Sequence, residues 1–249
     1  MKPSEEFNKI SSEYDKGRIS EDILFWAHEV EKYVELNSQS IVVDMGCGTG
    51  NYGLGIKEIT GAIVVGFDPA LGMLEQGHLK NHNFPLIRAI AENMPFRNDI
   101  FDLVYAAQVW HHIQGQQEAA NECFRVLKIG GIKIVHTISH SQLNKKTVFK
   151  IFPGIKKNQI DVYPSDEEFI SIFRKAGFQY IRAYPYSIER YQTADEFIEI
   201  AEKKLWSMFR PITQEDLENG IFWLNQWKHE NSNAPIRNDE LITLFIARK

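Results

Sequence analysis

Apolar positions recur along this chain in two rhythms. Runs rich in β-branched residues appear at intervals, among them Ile41–Val42–Val43, Ile63–Val64–Val65 and Ile132–Lys133–Ile134–Val135, and between them apolar residues return at helical spacing. β-branched side chains suit a buried pleated surface, so these runs predict strands over 41–44, 62–68, 85–90, 100–106 and 132–138. A further strand is expected from Phe178 and a last one over 241–247. Residues 4–37 read as helical and amphipathic, with Ser20–Glu21–Asp22 as a cap and Ile23, Trp26, Ala27, Val30 and Val34 on one face. Pro69 should open a helix through Met73, Leu74 and Leu79, because proline suits the first helical turn. Another helix covers 116–128, closed by Gly130–Gly131. Ser165-x-x-Glu168 is a capping box for a helix to Ala176, with Gly177 as its stop. Thr193-x-x-Glu196 and Thr213-x-x-Asp216 mark two more helix starts, the second with the shorter acid. Strand–helix alternation ending in two successive strands predicts an α/β fold, a doubly wound sheet of seven strands, mostly parallel, with the last antiparallel.

Composition narrows the class. At 249 residues the chain is long enough to bury a sizeable core. Its net charge of −5 gives no bulk electrostatic reason to expect nucleic acid. Only two cysteines, Cys47 and Cys123, argue against a disulfide framework and for a reducing cytoplasm. Met1–Lys2–Pro3–Ser4–Glu5–Glu6 lacks the apolar run of a secretory leader, and no apolar run is long enough to span a bilayer. A soluble cytoplasmic protein is expected, with no membrane partner. No oligomeric state follows from the composition.

The chemistry centres on Asp44–Met45–Gly46–Cys47–Gly48–Thr49–Gly50–Asn51–Tyr52–Gly53, directly after the first strand. Glycines at every second position let the backbone reach positive φ and approach a ligand, beside the N-terminus of the next helix. Two nucleotide readings compete. Gly48-x-Gly50-x-x-Gly53 with Asp68 fits a dinucleotide fingerprint. Asp44 with Gly46-x-Gly48-x-Gly50 instead resembles the first motif of class I S-adenosylmethionine-dependent methyltransferases. An acid before the first glycine suits a ligand ammonium and would repel a pyrophosphate. Later segments favour the second reading. Gly66–Phe67–Asp68–Pro69–Ala70–Leu71–Gly72–Met73–Leu74 resembles that family's second motif. Ala91–Glu92-x-x-Pro95–Phe96, an acidic loop and Phe101–Asp102–Leu103–Val104 resemble its third and fourth, in the branch often called type 11. Glu122–Cys123–Phe124–Arg125–Val126–Leu127–Lys128-x-Gly130–Gly131 again resembles the family. The likeness covers about residues 40–140.

The resemblance implies a Rossmann-like fold and a single methyltransferase domain over 1–249. Its core would comprise about 38–140, 165–185 and 240–249, with helical lid segments at 1–37, 139–164 and 186–239. It implies in-line methyl transfer from S-adenosylmethionine to a small-molecule acceptor, releasing S-adenosylhomocysteine. A non-catalytic cofactor-binding protein, or a methyltransferase of tRNA or protein, are the alternatives. The cofactor site would draw on Asp44, Gly46, Cys47, Gly48, Gly50, Asp68, Pro69, Met73, Ala91, Glu92 and Gln108. Tyr14 and Arg18 join it from a Tyr-Asp segment of the kind that folds over the cofactor in the family. The family usually has Asp before the Ala-Glu pair, to accept the adenine amino group; this chain has Ile90. His111, His112 and Tyr14 are the candidates for proton transfer, and Trp110, His111, Trp206 and Trp223 for the acceptor pocket. The aromatic residues of 186–239 suit either a helical subdomain packed on itself or an apolar lid. Lys145–Lys146 and Lys156–Lys157 read as solvated loops, and His78-x3-His82, without a nearby acid or thiol ligand, as a solvated helix face, so no metal is expected.

Overall fold

A computed structural model describes residues 3–12, 14–15, 20–80, 83–160 and 162–249. In chain order the first elements are α1 (Pro3–Ile10), α2 (Ser20–Glu31), β1 (Ile41–Met45), α3 (Asn51–Thr60), β2 (Ile63–Asp68), α4 (Leu71–Leu79), β3 (Leu86–Arg88) and β4 (Phe101–Ala107). A 3-10 turn (Trp110–His112) leads to α5 (Gln116–Val126) and β5 (Leu127–Thr137). Then follow α6 (His140–Leu143), α7 (Val148–Ile151), α8 (Pro153–Ile160), α9 (Asp166–Ala176), β6 (Tyr180–Ile188) and β7 (Tyr191–Gln192). The chain closes with α10 (Ala194–Glu202), α11 (Gln214–Glu230), β8 (Ile236–Arg237) and β9 (Glu240–Arg248).

Seven strands form one sheet in the order β3-β2-β1-β4-β5-β9-β6, mostly parallel, with the last strand antiparallel. β1 is its hub, pairing in parallel with β2 (Val43 opposite Val65) and with β4 (Val43 opposite Val104). Helices cover both faces, so β1 is buried along its length rather than on alternate residues, which explains its unbroken β-branched run. Strand order reverses between β1 and β4, and at such a switch point the carboxyl ends of the strands open a crevice. The core beneath it is aromatic: Phe169 stacks on Phe245 at 4.3 Å and Trp110 lies 5.1 Å from Phe173.

The N-terminal segment carries helices α1 and α2, and α2 begins at Ser20 as the sequence suggests. Three local expectations change. Pro69 precedes its helix; Ala70, extended at φ −85°, is the N-cap, and its N–H bonds to Asp68 Oδ1 at 2.8 Å. The helix over 116–128 stops at Val126, and Gly130–Gly131 lie inside β5. There the register against β4 jumps from Phe101–Leu127 to Leu103–Ile132, a bulge that Gly130 accommodates at φ 81°. The third strand is short, and beyond it Ile90 makes only an isolated bridge to Asn93.

Contacts group the chain into two units: residues 1–137, 169–184 and 244–249 in the first, 138–168 and 185–243 in the second. The second unit has its own core, in which Phe152, Phe197, Phe209 and Leu224 are buried. Thr193 and Glu196 complete a capping box on α10. Thr213 caps α11 through the Asp216 N–H, but the shorter Asp216 carboxylate reaches the Thr213 hydroxyl at 2.8 Å rather than the backbone. At α9, Ser165 and Glu168 exchange both capping bonds. Among the described residues, no helix is long and apolar enough to cross a membrane.

Candidate active site

The chain leaves β1 through the glycine loop. The N–H groups of Gly46 and Cys47 both donate to the Phe67 carbonyl, at 2.8 and 2.9 Å, tying the loop to the end of β2. Gly46 stands at φ 69°, and a Cβ there would lie 2.8 Å from Val109 Cβ. No other residue fits both that backbone and that neighbour. Gly48 and Gly50 also take positive φ, of 55° and 84°, and Gly50 is the N-cap of α3.

Two acids flank the loop. Asp44 is 1% exposed, and its Oδ2 accepts the Gly53 N–H at 2.9 Å. Burial pushes its carboxyl up to about 7, with repulsion from Asp68 adding to the rise; the Gly53 bond and the charge of Lys133 oppose it. Lys133 is itself fully buried, its amine 5.6 Å from the Trp110 ring centre, and desolvation brings it down to about 8. Asp68, at the end of β2, accepts the Gly48 N–H on Oδ2 at 2.9 Å and the Ala70 N–H on Oδ1. Burial raises its pKa, and those two bonds lower it. Asp68 therefore shapes the loop as well as facing the crevice.

A cleft of about 290 Å³ opens at the switch point. Gly46, Gly48, Asp68, Pro69 and Met73 line one side; Ile90, Ala91 and Glu92 line the next; Gln108 lines it from the end of β4. Gln108 sits at φ 54°, a strained conformation for a side chain of its size, held by its N–H on the His136 carbonyl at 2.8 Å. Ser4, Phe7, Tyr14, His112 and Ile113 complete the outer wall. Phe7 meets two of these rings edge to face, His112 at 5.1 Å and Tyr14 at 6.0 Å, and the His111 ring, outside the wall, lies tilted 3.9 Å from His112. A smaller recess of about 20 Å³ adjoins it, lined by Asp44, Cys47, Thr49, Tyr52 and Tyr14.

The structure thus gathers Asp44, Gly46, Cys47, Gly48, Asp68, Pro69, Met73, Ala91, Glu92, Gln108, Tyr14 and His112 around these two spaces. Trp110 lies elsewhere, fully buried against Phe169 and Phe173, with its indole N–H on Gln116 Oε1 at 3.2 Å. Trp206 and Trp223 belong to the second unit, where Trp206 stacks on Phe209 and Trp223 on Trp227. Arg18 and His82 lie outside the described residues, and among the described residues no cluster of acids, histidines or cysteines could hold a metal. Sequence reasoning passed over Phe7, Val109 and Tyr52. Phe7 alone left a trace, as an aromatic residue one helical stretch before Tyr14. The Glu122–Arg125 string acquires a cause: the Arg125 guanidinium donates to the Met94 and Phe96 carbonyls and pairs with Glu122, and so holds the turn that follows Ala91–Glu92.

Comparisons with known proteins find methyltransferases. A methyltransferase-domain family model matches residues 43–135. The demethylmenaquinone methyltransferase of Streptomyces avermitilis is 33% identical over 141 residues, which span 54% of this chain and 59% of that protein. That of Staphylococcus saprophyticus is 28% identical over 205 residues, 71% of this chain and 87% of that protein. Phosphoethanolamine N-methyltransferase 2 of Haemonchus contortus, solved with S-adenosyl-L-methionine, superimposes with a TM-score of 0.57 at 17% identity, covering 98% of this chain and 60% of that one.

Proposed function

We propose that this chain is a class I S-adenosylmethionine-dependent methyltransferase that transfers a methyl group to a small, largely apolar acceptor. The observation that carries the proposal is the cleft itself, with acids at both ends of the glycine loop and an outer wall of Phe7, Tyr14 and His112. The residues present fit the cofactor. A buried acid at Asp44 suits its ammonium group, and the second acid, Asp68, suits ribose hydroxyls. The backbone at Gly48 is open, the nearest atom to a Cβ there being Tyr14 Cε1 at 3.8 Å. Met73, Ile90 and Ala91 offer apolar contact to a base, and with Ile90 in place of the family's acid the polar contacts there fall to the backbone near Ala91 and Glu92.

When bound, the cofactor supplies a sulfonium methyl for in-line displacement. The chain's own contribution is alignment and exclusion of water. Cys47 and Gly50 complete the loop around the methionine end, Pro69 sets the turn after the ribose acid, and Gln108 and Tyr14 border the reacting centre; Arg18 belongs to the same proposed set. π faces at Tyr14 and Phe7 suit a cation that is discharged in the transition state. His112, with His111 behind it, is the proposed base where the acceptor must lose a proton. Two free, buried cysteines support a cytoplasmic location.

The test is an acceptor panel read by mass spectrometry for S-adenosylhomocysteine and methylated product. It includes phenols, amines and reduced quinones, demethylmenaquinone among them because the relatives are named for it. Turnover on a small acceptor supports the proposal. Turnover confined to tRNA or protein, or cofactor binding without turnover on any acceptor, overturns it.

A further inference from the structure

Part of the outer wall of the cleft comes from the N-terminal segment, and among the described residues Asp15 fastens that segment to the glycine loop. Asp15, next to Tyr14, accepts on Oδ1 from the Thr49 hydroxyl at 2.9 Å and from Asn51 Nδ2 at 2.8 Å. Its other oxygen pairs with the Lys80 ammonium. Lys80, at the end of α4, donates in turn to Thr49 Oγ1 at 2.9 Å and to Asn51 Oδ1 at 2.8 Å. Gly77 lets α4 come this close, since a Cβ there would lie 3.1 Å from the Thr49 carbonyl oxygen. A second tie, Gly72 N–H to Asn8 Oδ1 at 2.8 Å, holds α1 against the start of α4. Ser4, Phe7 and Tyr14 line the cleft from this segment, so a ligand between them and Gly48 is enclosed by it.

Resting on the functional reading above, we propose that Asp15 and Lys80 are positioning residues, a latch that holds Tyr14 over the glycine loop and sets how fast the cofactor leaves. The side chains of Lys80 and Asp15 are 29% and 32% exposed, so the pair is screened by salt yet still backed by two neutral partners. Those partners can each donate and accept. Thr49 donates a hydrogen bond to Asp15 and accepts one from Lys80, and Asn51 does the same with the two ends of its amide. The arrangement therefore tolerates exchange of the acid and the base.

The experiment loads the full-length protein with tritiated S-adenosylmethionine, adds excess unlabelled cofactor and follows loss of label. Asp15→Asn and Lys80→Met are each expected to speed release about fivefold to tenfold, and the double variant little more than either. The exchanged pair, Asp15→Lys with Lys80→Asp, should recover most of the wild-type rate, which a merely structural role would not give. Wild-type protein provides a second reading free of any folding defect: release quickens with ionic strength. Single variants that fold and release at the wild-type rate, or an exchanged pair no slower than the singles, overturn the latch and leave the functional reading standing. Failure of wild-type protein to bind the cofactor overturns that reading and the latch with it.

Discussion

Asp44→Asn separates what the buried acid costs the fold from what it does for the ligand. Asp44 rises from an ordinary 3.8 to about 7 because its carboxylate has lost water and has one backbone N–H in return. At about 1.36 kcal/mol per pKa unit, the ionised form costs the folded protein about 4 kcal/mol above neutrality. Because folding raises this pKa, the folded protein binds more protons here than the unfolded chain between about pH 4 and 7. The stability Asp44 contributes is therefore full below about pH 4 and is lost as pH rises through about 7. Asparagine keeps the shape and an acceptor for the Gly53 N–H but carries no charge. Urea unfolding of the cofactor-free protein should find the variant more stable than wild type at about pH 8, with the advantage smaller by about 2 kcal/mol at about pH 5.5. Calorimetry of the same variant should show cofactor affinity lost. An advantage that does not change between the two pH values, or a variant less stable than wild type at the higher one, would refute the account of Asp44 as a desolvated acid held ready for a cation.

Other consequences are simpler. Gly46→Ala places a methyl group against Val109 on a left-handed backbone, so cofactor binding should vanish and urea unfolding should show a loss of about 2–3 kcal/mol, only part of it relieved by Val109→Ala. Phe169→Ala removes a fully buried ring stacked on Phe245 and should lower stability by about 3–5 kcal/mol in denaturant unfolding. Thr193→Ala breaks the capping box of α10 and should cost about 1 kcal/mol, measured the same way, with cofactor affinity unchanged. Tyr14→Ala should weaken cofactor binding by calorimetry without lowering the melting temperature of the cofactor-free protein.

The parts of this protein that could be read from sequence are those whose cause is local. The glycine motif with Asp44, and Asp68 with the Pro69 turn, are each legible within a few neighbouring positions, and the caps at Ser165, Thr193 and Thr213 each join residues three positions apart. What could not be read depends on partners distant in the chain. Val109 makes Gly46 obligatory from 63 residues away, and Lys80 meets Asp15 across the loop. Gly130–Gly131 has the local form of a helix stop, yet pairing with β4 carries a strand through it. Trp110 follows β4 as a ligand-facing residue would. The 3-10 turn from Trp110 to His112 instead directs its ring into the aromatic core and leaves His112 at the cleft.

The central claim is that this cleft holds S-adenosylmethionine, and calorimetric titration of the purified protein tests it most directly. S-adenosylmethionine and S-adenosylhomocysteine should each bind at one site with about micromolar affinity, while NAD, run as the control, gives no heat. Binding of NAD alone, or of none of the three, would contradict the account.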